Sequence, residues 1–122
     1  MMAYYTGESL SHKAWLALLP NTFNRRDQLR AKTYWCDCCA YCGRTLFGLP
    51  LDVGWDHFIP IDALLDNPGT TRDNMLPCCR QCNAEKAWRY PLDFLEEAFG
   101  FEEAQVILAK INVYFASLKE DS

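Results

Sequence analysis

Two C-x-x-C pairs flank the central part of this 122-residue chain, which contains seven cysteines. Cys39 and Cys42 form the first pair, followed by Gly43, and Cys79 and Cys82 form the second. Zinc prefers thiolate ligands in a tetrahedron, and a C-x-x-C turn brings two sulfurs to the same ion. The four cysteines therefore predict a structural zinc site whose binding free energy contributes to folding.

The first pair of ligands is not fully fixed by spacing. Cys36 and Cys39 also form a C-x-x-C, and Cys38 and Cys78 are spare thiols. We prefer Cys39 with Cys42, because the glycine that follows permits the positive φ that such a turn often needs.

Polar residues suited to hydrolysis lie between and just after the two pairs. His57 follows Asp56 directly, and Asn83 follows the last cysteine. A neutral imidazole takes a proton from water, and carboxylate and amide oxygens are ligands for Mg²⁺ or Mn²⁺. Hydrolysis of a phosphodiester needs an activated water, stabilisation of charge at phosphorus and help for the leaving 3′-oxygen, and one divalent cation can supply the last two.

Taken together, these motifs resemble the HNH endonucleases, the zinc-knuckle branch of the His-Me finger (ββα-metal) nucleases. The resemblance covers roughly residues 26–88: a basic helix, C-x-x-C-G, D-H-x-x-P and N-x-x-x-x-C-x-x-C-N-x-x-K. It implies that His57 is the general base and that Asp56 and Asn83 hold a catalytic Mg²⁺ or Mn²⁺. It also implies that Asn74 pins the loop that orients the histidine. Asn83 stands where many members have histidine, an H-N-N variant that favours Mg²⁺ or Mn²⁺ over Ni²⁺ or Zn²⁺.

The fold implied by the resemblance is α+β, a small ββα-metal core with a structural zinc between N- and C-terminal helices. A length of 122 residues corresponds to about one domain. We expect one HNH endonuclease domain over residues 1–122, with N-terminal helices over 1–35, the zinc-knuckle core over 36–90 and C-terminal helices over 91–122.

Local patterning predicts the elements that position these residues. Helices are expected over residues 11–19, 23–33, 82–88, 91–99 and 101–119. Thr22 is the expected N-cap of the second helix. Strands are expected over 51–55 and 58–59, followed by a loop over 60–72. The apolar stripe of the last helix should cover this domain's own core, with a dimer interface as the alternative.

The net charge of −4 is unevenly distributed. Residues 1–90 carry ten Lys and Arg against nine Asp and Glu, whereas residues 91–122 carry two against seven. Because phosphate binding depends on local potential, a basic cleft is compatible with an acidic chain. The partner predicted is DNA, and the candidates for phosphate contact are Lys86, Arg80, Arg44 and Arg72.

Two other functions would also explain part of the pattern. A non-catalytic zinc module that binds nucleic acid or protein accounts for the cysteines but leaves Asp56, His57 and Asn83 without a role. A ribonuclease could use the same site. The first residues show neither the basic nor the apolar stretch typical of a secretory leader, and no apolar run is long enough for a membrane span. We therefore expect no secretory signal and thiols in a reducing cytoplasm. Oligomeric state and cleavage preference are left open.

Overall fold

The computed structural model describes residue 14 and residues 17–46, 54–63 and 67–120. Within these ranges the chain is a small mixed α/β protein with four helices and one two-stranded antiparallel sheet. The elements are α1 (Arg25–Tyr34), β1 (Gly54–His57), β2 (Met75–Cys78), α2 (Arg80–Lys86), α3 (Pro91–Phe99) and α4 (Phe101–Lys119). Most of the helix expected over residues 11–19 lies outside the described residues. None of the described helices combines the length and apolarity needed to cross a membrane.

Helix α1 begins two residues later than predicted, because Asn24 rather than Thr22 is its N-cap. The Asn24 side chain accepts a hydrogen bond from Asp27 N at 3.0 Å, and the Asp27 carboxylate accepts one from Asn24 N at 3.2 Å. This reciprocal pair is a capping box. Thr22 is engaged elsewhere, since its backbone N–H donates to Thr70 O at 2.9 Å.

The partner of β1 is β2, so the second strand predicted over residues 58–59 is wrong. The pairing is antiparallel, and it places Asp56 opposite Leu76 and His57 opposite Met75. Pro77 obscured β2 in the sequence, because proline has no N–H to donate and is normally confined to the edge of a sheet. Here its carbonyl is used instead and accepts a hydrogen bond from Ala40 N at 3.0 Å.

Helix α2 begins within the second C-x-x-C turn, Cys79–Cys82, which we call the second knuckle (the first is Cys39–Cys42). Its start and its end both lie two residues earlier than predicted. Cys79 is its N-cap, and the Cys79 sulfur accepts a hydrogen bond from Cys82 N at 3.4 Å. The helix ends after Lys86 because Ala87 adopts a positive φ of 49°. A sulfur of the predicted zinc site therefore also fixes where this helix starts.

The C-terminal helices have the predicted bounds, with Pro91 in the first turn of α3 and Gly100 between α3 and α4 at φ 88°. The buried residues of α4 are Ala104, Ile107, Ile111, Tyr114 and Leu118. Tyr114 packs on Tyr34 and Trp35, with ring centroids 4.7 and 5.4 Å apart. The apolar stripe thus covers the core of this domain, as predicted.

Candidate functional site

The sulfurs of Cys39, Cys42, Cys79 and Cys82 all lie within 4.8 Å of one another. The sulfurs of Cys42 and Cys79 are 3.8 Å apart. Four sulfurs about 2.3 Å from a central zinc are about 3.8 Å from each other in a regular tetrahedron. This four-sulfur cluster therefore has the dimensions of a site that could hold a metal such as zinc, and it consists of the preferred ligand set.

The first knuckle is a tight turn that is attached to the sheet. Cys39 N donates to Arg44 O at 2.7 Å, and Gly43 N donates to Cys39 O at 2.9 Å. Gly43 has the positive φ, 80°, that the sequence predicted. The alternative ligand Cys36 is exposed and outside the cluster, and its sulfur is 4.0 Å from Tyr34 O. The C-x-x-C that begins at Cys36 is therefore not the one that forms the cluster.

The protein's own groups favour the thiolate form of Cys39 but the protonated form of Cys42 and Cys82. Hydrogen bonds from Cys78 and Cys82 lower the pKa of Cys39, whereas the hydrogen bond with Cys39 and then burial raise the pKa of Cys82. Burial raises the pKa of Cys42 to about 11. Holding all four as thiolates requires a positive charge among them, which is what a bound zinc ion supplies.

Asp56 is a buried carboxylate with 4% of its surface exposed. Its Oδ2 accepts a hydrogen bond from the Tyr41 hydroxyl at 2.5 Å and lies 3.1 Å from Lys86 Nζ. Burial raises the pKa of Asp56 above its usual value, and the Lys86 ammonium and the Tyr41 hydroxyl act in the opposite direction. Both contacts fall on one oxygen of the carboxylate.

Lys86 is completely buried, so its predicted role as a phosphate ligand is wrong. Its ammonium donates to His57 O at 2.9 Å in addition to pairing with Asp56. Two elements thus meet at this cation: β1 supplies the carboxylate and the carbonyl, and α2 supplies the lysine. Tyr41, in the first C-x-x-C turn, reaches the same carboxylate oxygen. Burying a charge is tolerated only where such partners are present.

The His57 ring is half-buried and is held by a hydroxyl group. Its Nε2 lies 2.9 Å from Thr70 Oγ1. Burial lowers the pKa of His57, with the Lys86 charge acting the same way and the Asp56 charge opposing it. A lowered pKa keeps the imidazole neutral at pH 7. Sequence reasoning missed Thr70, because no spacing rule links it to the histidine.

Asn74 is fully buried and joins the two ends of the loop that follows β1. Its Oδ1 accepts from Ile59 N at 2.7 Å, and its Nδ2 donates to Ile59 O at 3.1 Å and Gly69 O at 2.9 Å. Ile59 lies two residues after His57, and Gly69 directly precedes the threonine that holds it. Asn74 therefore makes the loop-pinning contacts that the sequence predicted for it.

A second asparagine, not anticipated from the sequence, closes the same loop. Asn67 Nδ2 donates to Ile61 O at 2.7 Å and to Ala63 O at 2.9 Å, and Asn67 Oδ1 accepts from Gly69 N at 2.9 Å. Gly69 has φ 76°, and a Cβ there would lie 2.5 Å from Pro20 O. The signal available was the Asn-Pro-Gly sequence, which indicates a turn but not its partners.

Asp56, His57 and Asn83 all line one cleft of about 150 Å³ between β1 and α2. Gly54 allows this arrangement, because a Cβ at that position would lie 3.1 Å from Asn83 Nδ2. The structure therefore brings together the three residues that the sequence predicted for the reaction.

The three arginines predicted to bind phosphate lie elsewhere. Arg80 and Arg44 are exposed, and Arg72 donates from Nη2 to Leu118 O at 3.4 Å. None of them is among the described residues that line the cleft.

Zinc removal is expected to unfold the protein, because a structural site contributes on the order of 10 kcal/mol while whole domains are stable by about 5–15 kcal/mol. Cys39→Ser should lose stoichiometric zinc, measured by mass spectrometry of bound metal, and lose helical circular dichroism. Cys36→Ser is the matched control and should retain both. Equal zinc loss in the two variants would contradict the ligand set.

Lys86→Met should lower the free energy of unfolding by about 3–5 kcal/mol, because it leaves the Asp56 carboxylate buried without a counter-ion. The double variant Asp56→Asn/Lys86→Met should recover most of this loss in urea unfolding. Lys110→Met, at an exposed position of α4, is the control and should change little. If Lys86→Met lowers the free energy of unfolding no more than Lys110→Met does, the pair of Asp56 and Lys86 does not stabilise the fold.

Comparison of the chain with protein-family models and with curated proteins finds no match. Function has to be inferred from the chemistry of the cluster and the cleft.

Proposed function

We propose that this protein is a metal-dependent endonuclease of the HNH type that hydrolyses DNA phosphodiester bonds. In this proposal β1, β2 and α2 form the ββα-metal core of a His-Me finger, and the four-sulfur cluster holds a structural zinc. The observation that carries the proposal is the cleft shared by Asp56, His57 and Asn83. A zinc module that only binds a partner has no need of a base and two oxygen ligands in one cleft.

His57 is the general base in this proposal. When the Thr70 hydroxyl accepts a hydrogen bond from Nε2–H, the lone pair is on Nδ1 and can take a proton from water. The water oxygen then forms a bond to phosphorus as the bond from phosphorus to the 3′-oxygen breaks. The lowered pKa of His57 supports this role, because the base must be unprotonated at neutral pH.

Asp56 and Asn83 are the proposed oxygen ligands for one Mg²⁺ or Mn²⁺. Both contacts of Asp56 fall on Oδ2, so Oδ1 is the atom left for a cation. Asn83 lines the same cleft, and its amide oxygen would be the second ligand. When bound, the cation would stabilise charge on the phosphate and on the leaving oxygen. Because Lys86 already balances the charge of Asp56, we expect affinity for the cation in the millimolar rather than the micromolar range.

Supercoiled plasmid incubated with zinc-loaded protein tests this proposal. Wild-type protein should nick or cut the plasmid with Mg²⁺ or Mn²⁺, and His57→Ala should reduce the rate by about 10²–10⁴. The zinc content and the free energy of unfolding of the His57→Ala variant should equal those of the wild type. His12→Ala, at the chain's other histidine, is the matched control and should cleave normally.

Labelled single- and double-stranded DNA and RNA, digested side by side, distinguish a deoxyribonuclease from a ribonuclease with the same site. The nuclease proposal fails if folded, zinc-loaded protein cleaves none of these substrates with any divalent cation. It also fails if His57→Ala retains the wild-type rate.

Thr70→Val should lower kcat by about two- to tenfold with little change in KM, because one neutral hydrogen bond is worth about 0.5–1.5 kcal/mol. Thr70→Ser keeps the hydroxyl and should retain the wild-type rate. Thr71→Val, which removes the neighbouring hydroxyl bonded to Asp73, is the control. If Thr70→Ser is as slow as Thr70→Val, the hydroxyl does not position His57.

A further inference from the structure

We infer that the cleft binds one unpaired nucleobase, with Trp88 as the surface on which the base stacks. The preferred substrate would then be a single-stranded or locally unpaired stretch of nucleic acid. The inference rests on the proposed function for its role in cleavage, but the binding itself is measurable without cleavage.

Trp88 lines the cleft and yet has 74% of its surface exposed. Tryptophan is usually among the more buried side chains, so an exposed indole beside polar site residues is informative. The backbone before it is unusual as well. Ala87 has φ 49°, a conformation that residues other than glycine seldom adopt, and its N–H donates to Asn83 O at 2.9 Å. This turn places Trp88 directly after the helix that carries Asn83.

The cleft contains a second indole, which is fixed in place. Trp55 is half-buried, and its ring meets the edge of Phe23 with centroids 5.0 Å apart at 72°. The volume of about 150 Å³ is well below the roughly 300–1,000 Å³ of sites for drug-sized ligands. Such a space excludes a helix or strand of a protein partner, and the exposed face of Trp88 is left for a planar ring to stack on.

The charges around the cleft do not favour binding of duplex phosphates there. The described residues that line the cleft include Asp56 and Asp62 but no lysine or arginine. The two cations that flank the lining residues Ala87 and Trp88 in sequence are engaged: Lys86 is buried, and Arg89 pairs with Glu97 and donates to Glu85 O at 2.9 Å.

Non-specific duplex binding depends on cations that displace counterions from phosphates. Stacking on aromatic side chains is the sequence-tolerant interaction that remains. A base within a duplex has both faces covered by its neighbours, so only an unpaired base can offer a face to Trp88.

Fluorescence anisotropy with a labelled oligo-dT and with a duplex of the same length tests the inference. Zinc-loaded protein is titrated without added divalent cation, so that no cleavage occurs. We expect tighter binding of oligo-dT than of duplex, and a weakening of oligo-dT binding by about 5- to 100-fold in Trp88→Ala. Trp88→Phe should retain most of the affinity. Phe101→Ala removes another exposed aromatic ring, one that is not among the described residues lining the cleft, and is the matched control.

An oligo-U arm shows whether the unpaired base comes from RNA or DNA. The inference is overturned if duplex binds as tightly as oligo-dT, or if Trp88→Ala loses no more affinity than Phe101→Ala. Failure here is distinct from failure of the proposed function. If oligo-dT binding depends on Trp88 but no substrate is cleaved, the nuclease proposal fails and the base-binding inference stands. If cleavage depends on His57 but Trp88→Ala binds oligo-dT like the wild type, the inference fails and the nuclease proposal stands.

Discussion

The four-sulfur cluster is the constraint on which the rest of the site depends. The strands have four residues each and α2 has seven, lengths at which isolated elements are not stable in water. Cys79 is both a cluster ligand and the N-cap of α2, and the first knuckle is hydrogen-bonded to β2 through Ala40. Because α2 carries Asn83, any loosening of the cluster would move one wall of the cleft away from the other.

The second constraint is the ion pair inside the protein between Asp56 and Lys86. Replacing a buried ion pair by apolar residues often leaves the free energy of unfolding unchanged. Stability alone therefore does not explain why the pair is present. The geometry of the pair suggests a positioning role. The Lys86 ammonium belongs to α2, and it contacts both the Asp56 carboxylate and the His57 carbonyl on β1. We interpret the pair as setting the separation of β1 and α2, and with it the width of the cleft.

The sequence predicted those features that depend on local spacing. Cysteine spacing identified the cluster, and Pro91 with Gly100 placed the ends of α3. Features that depend on partners distant in sequence were missed. Residues 75–78 become a strand only by pairing with β1 about twenty residues away, and Lys86 is buried only because the Asp56 carboxylate and the His57 carbonyl meet its ammonium. The lysine matched the family motif, but a motif does not specify which way a side chain points.

An acidic chain is a poor general binder of DNA, and under the proposed function this has a consequence for selectivity. Discrimination between two substrates equals the difference between their binding free energies. Because electrostatic attraction to any duplex is weak here, non-specific binding is weak, and one specific contact makes a larger relative difference in affinity. Two cations near the cleft add little to this attraction, because Lys86 is buried and Arg89 is paired with Glu97. If the cleft acts on nucleic acid, its choice of substrate must then come from what fits between the two indoles and the imidazole, and not from the charge of the surface around them.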